Sequence, residues 1–141
     1  MAGGASGLTA FLRRRDRDRQ CPKLDVHAPT SPALVKAARA WRRARALVPS
    51  YAGYALGLGL SLNRVGRLGE AVIELEEAAQ LDADDAFIVG NLGALYMQLG
   101  RSARAESLLK RAAEEDSQRA EWWGNLGLLY SAQGQLEQAE K

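Results

Sequence analysis

Histidine and cysteine, the side chains behind most nucleophilic and metal chemistry, occur once each in this chain. Both stand in one short stretch that runs from Cys21-Pro22 to His27-Ala28-Pro29. A lone cysteine rules out an internal disulfide framework, and a reducing compartment, the cytoplasm, is the expected location. Cys21, Asp25 and His27 offer three ligands where a closed zinc site takes four, so neither metal nor cofactor is expected. Nor does a segment of this composition hold Cys21 against His27 in the geometry a nucleophile pair needs. Gly57-Leu-Gly59 lacks the third glycine and the preceding strand of a phosphate-binding fingerprint. With that inventory missing, a non-enzymatic chain is expected. The long apolar run of a membrane span is missing too: Tyr51 to Leu62 is almost wholly apolar, but it falls short of the ~18 residues a bilayer requires. At the N-terminus, Leu8 to Leu12 is too brief for a signal peptide core, and the arginines follow it rather than precede it. Asp16 and Asp18 count against a transit peptide.

Charge is scarce only in the net. The formal charge is +2, yet residues 1–51 hold eleven Lys/Arg against three Asp, and residues 52–141 hold eight Lys/Arg against fourteen Asp/Glu. A basic end therefore faces an acidic remainder, which favours an acidic partner for the first part or its folding onto the second. Residues 1–30 are rich in Gly, Arg, Asp and Pro, a composition that predicts a basic, disordered segment.

What the chain does have is a pattern that returns every 34 residues. It reads Ala55-x-x-Leu58-Gly59-x-x-Leu62, then Val89-x-x-Leu92-Gly93-x-x-Tyr96, then Trp123-x-x-Leu126-Gly127-x-x-Tyr130. Each motif is followed by Gly66, Gly100 or Gly134, and then by Ala71, Ala105 or Ala139, at shared offsets. The apolar positions form one stripe of a helix, which a second helix must cover. Gly59, Gly93 and Gly127 fall mid-helix, where glycine costs about 1 kcal/mol relative to alanine. Close approach of the second helix, with Ala71, Ala105 and Ala139 opposite, is the expected reason. Gly66, Gly100 and Gly134 suit the left-handed conformation that ends a helix, so each is expected to mark a hairpin turn.

In period and in these residues the chain resembles the tetratricopeptide repeat, whose pattern runs W-x2-L-G-x2-Y, then A-x3-F, then P. The resemblance implies an all-α fold, a right-handed α-solenoid of antiparallel helix pairs. Helices are expected near 52–65, 68–81, 86–99, 102–115 and 120–133, with another begun at 136. Residues 32–47 read as the second helix of an earlier unit: Ser31-Pro32 supplies a capping hydroxyl and a first-turn proline, and Ala37, Trp41, Ala44 and Pro49 match the family positions. Pro22 and Pro29 oppose a first helix before it. The organisation expected is thus a segment 1–30, then an array over 31–141 composed of a half repeat 32–51, repeats 52–85 and 86–119, and a truncated repeat 120–141. An array that stops within a helix and lacks a polar closing helix is the expectation for a fragment or truncated product, or for a short protein that closes its end on a partner.

In this family the first helices line a concave groove that holds peptides. By position the groove comprises Leu56, Leu60, Asn63, Arg64, Phe87, Gly90, Asn91, Met97, Gln98, Glu121, Asn125, Leu128 and Ser131. Members that grip acidic chaperone C-termini place lysines and an arginine where this chain has Leu56, Leu60, Phe87, Gly90, Glu121 and Gly124, so an apolar or weakly charged peptide is expected. Asn91 and Asn125, each before Leu-Gly, form a ladder similar to that in O-linked N-acetylglucosamine transferase repeats, whose asparagines bind peptide backbone. An amide both donates and accepts, and so satisfies a peptide bond whatever its side chain; bonding to its own helix is the alternative. The expected function is a protein-interaction scaffold, with self-association through the open C-terminal end. Two rivals remain. One is an RNA- or membrane-associated adaptor working through Arg13, Arg14, Arg15, Arg39, Arg42, Arg43 and Arg45, and the other is the regulatory array of a larger enzyme such as a glycosyltransferase.

Overall fold

The computed structural model describes residues 31–140. The segment 1–30, with Arg13, Arg14, Arg15, Cys21 and His27, lies outside the described residues. Six helices follow one another: α1 (Pro32–Leu47), α2 (Ala52–Arg64), α3 (Leu68–Leu81), α4 (Ala86–Gln98), α5 (Ser102–Glu115) and α6 (Ala120–Glu140). No strand occurs among the described residues. Each helix packs mainly on its neighbours in sequence, while α2 also touches α4 and α4 touches α6. This is the nearest-neighbour build of a solenoid, with α2, α4 and α6 as first helices and α1, α3 and α5 as second helices.

The turns are set where the glycines predict. Gly66 and Gly100 adopt φ of +86° and +76°. Past each, the chain reverses through a bond from Arg67 N to Leu62 O (2.9 Å) and from Arg101 N to Tyr96 O (2.9 Å), which satisfies a carbonyl the helix end leaves unpaired. Gly134 behaves differently. α6 runs through it to Glu140, so the expected turn and the helix begun at 136 do not form. The seven residues after Gly134 are too few to bury an apolar face by folding back, and extending an existing helix avoids the cost of nucleating a new one. At the start of α1 the Ser31 hydroxyl makes no capping bond. Its carbonyl accepts from Leu34 N and Val35 N instead, and Pro32 fixes the entry geometry. Asp85 supplies a side-chain cap the repeat pattern does not announce, accepting from Phe87 N at 2.9 Å and Ile88 N at 3.3 Å.

One apolar core threads the array from Ala38 through Leu58, Leu75, Leu92 and Leu109 to Trp122 and Leu129. Inside each unit the mid-helix glycine is a notch that receives a leucine. A Cβ on Gly59 would stand 2.8 Å from Leu75 Cγ, and one on Gly93 would stand 2.9 Å from Leu109 Cγ and 3.2 Å from Leu109 N. The close approach is as expected, but the alanines are not the residues that fill the notch. Ala71 contributes its carbonyl oxygen at 3.4 Å from the position of a Cβ on Gly59, because a leucine one turn further on is long enough to occupy the space. Gly127 breaks the series: a Cβ there would meet nothing within 4 Å. Its expected counterpart Ala139 lies outside the described side chains.

A second helix against α6 is therefore absent among the described residues, although less is laid bare than the pattern implies. Trp122, Leu126 and Leu129 are buried; Trp123, Leu128, Tyr130 and Leu136 are exposed. Trp122 escapes exposure because Gly90 on α4 makes room for its ring, at 2.6 Å from where a Cβ would stand.

Polar ties at the margin join one unit to the next. Tyr96 Oη on α4 donates to Glu76 on α3 and accepts from Arg104 at 3.3 Å. Burial first, and the Glu76 bond second, raise the phenol above its ordinary value of 10.0. Tyr130 repeats the tie one unit on, donating to Glu106 Oε1 at 2.9 Å, where Lys110 Nζ also binds at 2.8 Å. The Lys110 bond, then that of Tyr130, holds the Glu106 carboxyl below its ordinary value.

Two outcomes are expected. Gly93→Ala lowers stability by about 1–3 kcal/mol through overpacking against a backbone atom, and Gly127→Ala raises it by up to about 1 kcal/mol through helix propensity alone; urea unfolding at low protein concentration measures both. A raised phenol pKa contributes stability that is complete below the unfolded value and is lost as pH climbs through the folded one. The melting temperature accordingly falls above about pH 10, and it falls less steeply in Tyr96→Phe.

Candidate functional site

The first helices α2, α4 and α6 present one side of the array, and the residues expected to line a groove divide there into two sets. Leu56 and Met97 turn inward and pack on the core. Phe87, 36% exposed, packs at a tilt of 58° against Trp122 with ring centroids 6.2 Å apart, and the Arg119 guanidinium lies 5.1 Å from its ring. These three side chains serve the packing. Arg64, Gln98, Glu121, Leu128 and Ser131 are exposed, while Leu60, Asn63, Asn91 and Asn125 are half-buried. Gly90 is buried beneath the Trp122 ring. At the N-terminal turns of α2 and α4 a cleft of roughly 290 Å³ opens, lined by Tyr51, Ala52, Gly53, Leu56, Leu81, Asp85 and Ile88 among others.

The two asparagines occupy equivalent places on adjacent helices. Asn91 Nδ2 donates to Phe87 O at 2.7 Å, so one amide hydrogen is spent on its own helix. Its Oδ1 and second N–H are left to bond elsewhere. The distance of one turn explains the bond: residue i−4 presents its carbonyl directly below the side chain.

The four described arginines of the basic patch differ in their surroundings. Arg45 is only 19% exposed and pairs with Glu74 and Glu77 on α3, which withdraws it from any external phosphate. The cause is the acidic face of α3, which the sequence pattern alone does not place within reach of Arg45. Arg39 and Arg42 instead line a cleft of roughly 330 Å³ with Val35, Ala38, Leu62, Val65 and Arg67, and Arg43 is exposed. No helix among the described residues is long and apolar enough to cross a membrane. Among the same residues no group of His, Cys, Asp and Glu is placed to hold a metal ion.

Features the repeat pattern did not single out include the aromatic group at the first hairpin. Tyr54 packs edge-on against Tyr51 at 4.7 Å and lies 6.3 Å from Trp41, whose ring rests over Gly57. Trp41 is 37% exposed where the pattern wants a core aromatic, because no first helix precedes α1 among the described residues. Trp122 Nε1 is buried without a hydrogen-bond partner. A glycine facing a tryptophan across the helix pair was the available signal for both rings, but the facing register is known only once the helices are packed.

Three family models, each described as tetratricopeptide repeat, match residues 36–86, 62–126 and 120–141. No curated protein matches the chain in sequence. Among solved structures, the type III secretion chaperone SycD of Yersinia enterocolitica, in complex with a peptide of the translocator YopD, superposes with a TM-score of 0.66. Identity is 19%, over 84% of this chain and 95% of that one. MamA gives 0.65 at 23% identity, over 79% of this chain and 63% of its own. The first TPR of Spaghetti (RPAP3), bound to the HSP90 peptide SRMEEVD, gives 0.70 at 14% identity, over 79% and 92%. At these identities the likeness is one of fold.

The pairing of Arg45 separates it from its neighbours in a way that denaturation reads directly. Arg45→Gln is expected to lower unfolding stability by roughly 1 kcal/mol, since it strands Glu74 and Glu77 in a partly buried position. Arg39→Gln and Arg43→Gln are expected to stay within about 0.5 kcal/mol of the parent chain.

Proposed function

The chain belongs to the tetratricopeptide repeat family, and we propose on that premise that it is a non-enzymatic, cytoplasmic interaction scaffold that holds a peptide or helix of a partner protein along its first helices. The observation that carries this reading is the pair of half-buried amides, Asn91 and Asn125, 34 residues apart on the adjacent helices α4 and α6. On the first helices with them stand Leu60 and Leu128, which are not among the core residues. Such amides meet the donors and acceptors of an extended backbone, and the leucines receive side chains. That the neighbouring SycD and RPAP3 structures contain bound peptides supports the use of this fold for peptide capture. The ligand differs in kind from the acidic SRMEEVD sequence, because Leu56, Leu60, Phe87, Gly90, Glu121 and Gly124 stand where basic residues grip such a terminus. An apolar or weakly charged segment fits.

Peptides selected from a random displayed library against the 141-residue chain provide the test. The expected winners are apolar or weakly charged, and Asn125→Ala weakens the binding of a synthetic winner by about 1–3 kcal/mol, the cost of a buried group left unpaired. Asn91→Ala weakens it less, since part of that amide is already committed to Phe87 O. Unchanged affinity in both variants at unchanged helix content, or enrichment of strongly acidic peptides, overturns the proposal.

A further inference from the structure

Within each complete unit the first and second helices meet along one stripe apiece. On the first helices it is Ala55, Gly59 and Leu62, and again Val89, Gly93 and Tyr96. On the second helices it is Ala71, Leu75 and Ala78, and again Ala105, Leu109 and Ala112. All are buried, the apolar side chains to 3% exposure or less. Advanced by 34 residues, the first-helix stripe falls on Trp123, Gly127 and Tyr130 of α6. There Trp123 is 52% and Tyr130 43% exposed, and nothing lies within 4 Å of a Cβ on Gly127. Moved back by 34, the second-helix stripe falls on Ala37, Trp41 and Ala44 of α1, none of them buried. The chain thus carries both halves of one more unit, on two helices that do not touch each other.

The two halves also match in charge. α1 holds Lys36, Arg39, Arg42 and Arg43, besides the Arg45 already paired with Glu74 and Glu77, and no acid, whereas α6 holds Glu121, Glu137 and Glu140 and no base. We propose that α6 of one copy docks on α1 of a second copy, head to tail, so that two chains complete one unit between them. Trp41, whose ring rests over Gly57 of its own chain and is 37% exposed, then turns its open part to Gly127 of the other copy, at the repeat position that Leu75 takes over Gly59 and Leu109 over Gly93. The inference stands apart from the groove reading, since the docked stripes face along the array and not into the groove. Because the contact is heterologous, each added copy presents a fresh α1 or α6, and growth continues unless the rotation closes a ring.

Sedimentation velocity on the 141-residue chain, alone and in mixtures, decides the matter. Wild-type weight-average mass is expected to rise past that of a dimer with concentration, and to fall with salt as the opposed charges are screened. Gly127→Gln fills the notch on an exposed helix face, and Trp41→Gln removes the group that fills it. Each variant alone is expected to associate about tenfold or more weakly than wild type. Mixed one to one, they form a dimer and nothing larger, because only the intact α1 of the first variant can meet the intact α6 of the second. Far-UV circular dichroism checks that both remain helical, and Ala37→Gln replaces Trp41→Gln if α1 unravels. A monomeric wild type at all concentrations overturns the proposal. So does a Trp41→Gln variant that dimerises unaided, the mark of a symmetric α6 to α6 contact.

Discussion

A leucine lodged where a glycine leaves room is the contact on which the remaining geometry depends. Gly59 with Leu75, and Gly93 with Leu109, bring the helices of a unit closer than any side chain at the glycine position would allow. Mid-helix glycine is unfavourable by itself, but the close approach buries Ala71, Ala78, Ala105 and Ala112 completely. Once that distance is fixed in two successive units, the first helices line up on one side and the second helices on the other. The surface proposed to hold a peptide is then a by-product of how the units close. Its amides and leucines sit on helices whose opposite stripes are already committed.

Polar contacts add register to this apolar scaffold. Tyr96 reaches Glu76 and Tyr130 reaches Glu106, each from a first helix back to the preceding second helix. Arg45 reaches past α2 to Glu74 and Glu77. A phenol or guanidinium that bonds in one direction distinguishes the right sliding position from a wrong one, which methyl groups do poorly. In a structure held together chiefly by nearest neighbours, links between units spread the consequences of a local opening beyond the helix that opens.

The 34-residue period made the helices and both φ-positive turns legible before any coordinates, and the helix positions of α1 to α5 were readable to within a residue. The period failed at Gly134, because a turn glycine signals a reversal only if a helix able to pack follows it. Nor does a linear pattern show that Gly90 of the preceding first helix has space for the Trp122 indole. The residues expected to line a groove could be placed on helices from the sequence, but which of them would be free groups could not. Leu56 and Met97 turned inward, Phe87 joined Trp122, and half of the Asn91 amide bonded to its own helix. Those choices depend on rotamers and on partners contributed by other units. Arg45 left the basic patch for the same reason: its carboxylates arrive from α3, 29 residues away in sequence at Glu74.

The three tryptophans fall at places that make the chain its own optical reporter. Trp122 is fully buried with an unpaired indole N–H, whereas Trp41 and Trp123, near opposite ends of the array, are partly open to solvent. Emission from the first is therefore blue-shifted and shielded from aqueous quenchers, and emission from the other two is red-shifted and readily quenched. Unfolding of the α4 to α6 junction and covering of either end thus move the spectrum in opposite directions, without an attached dye.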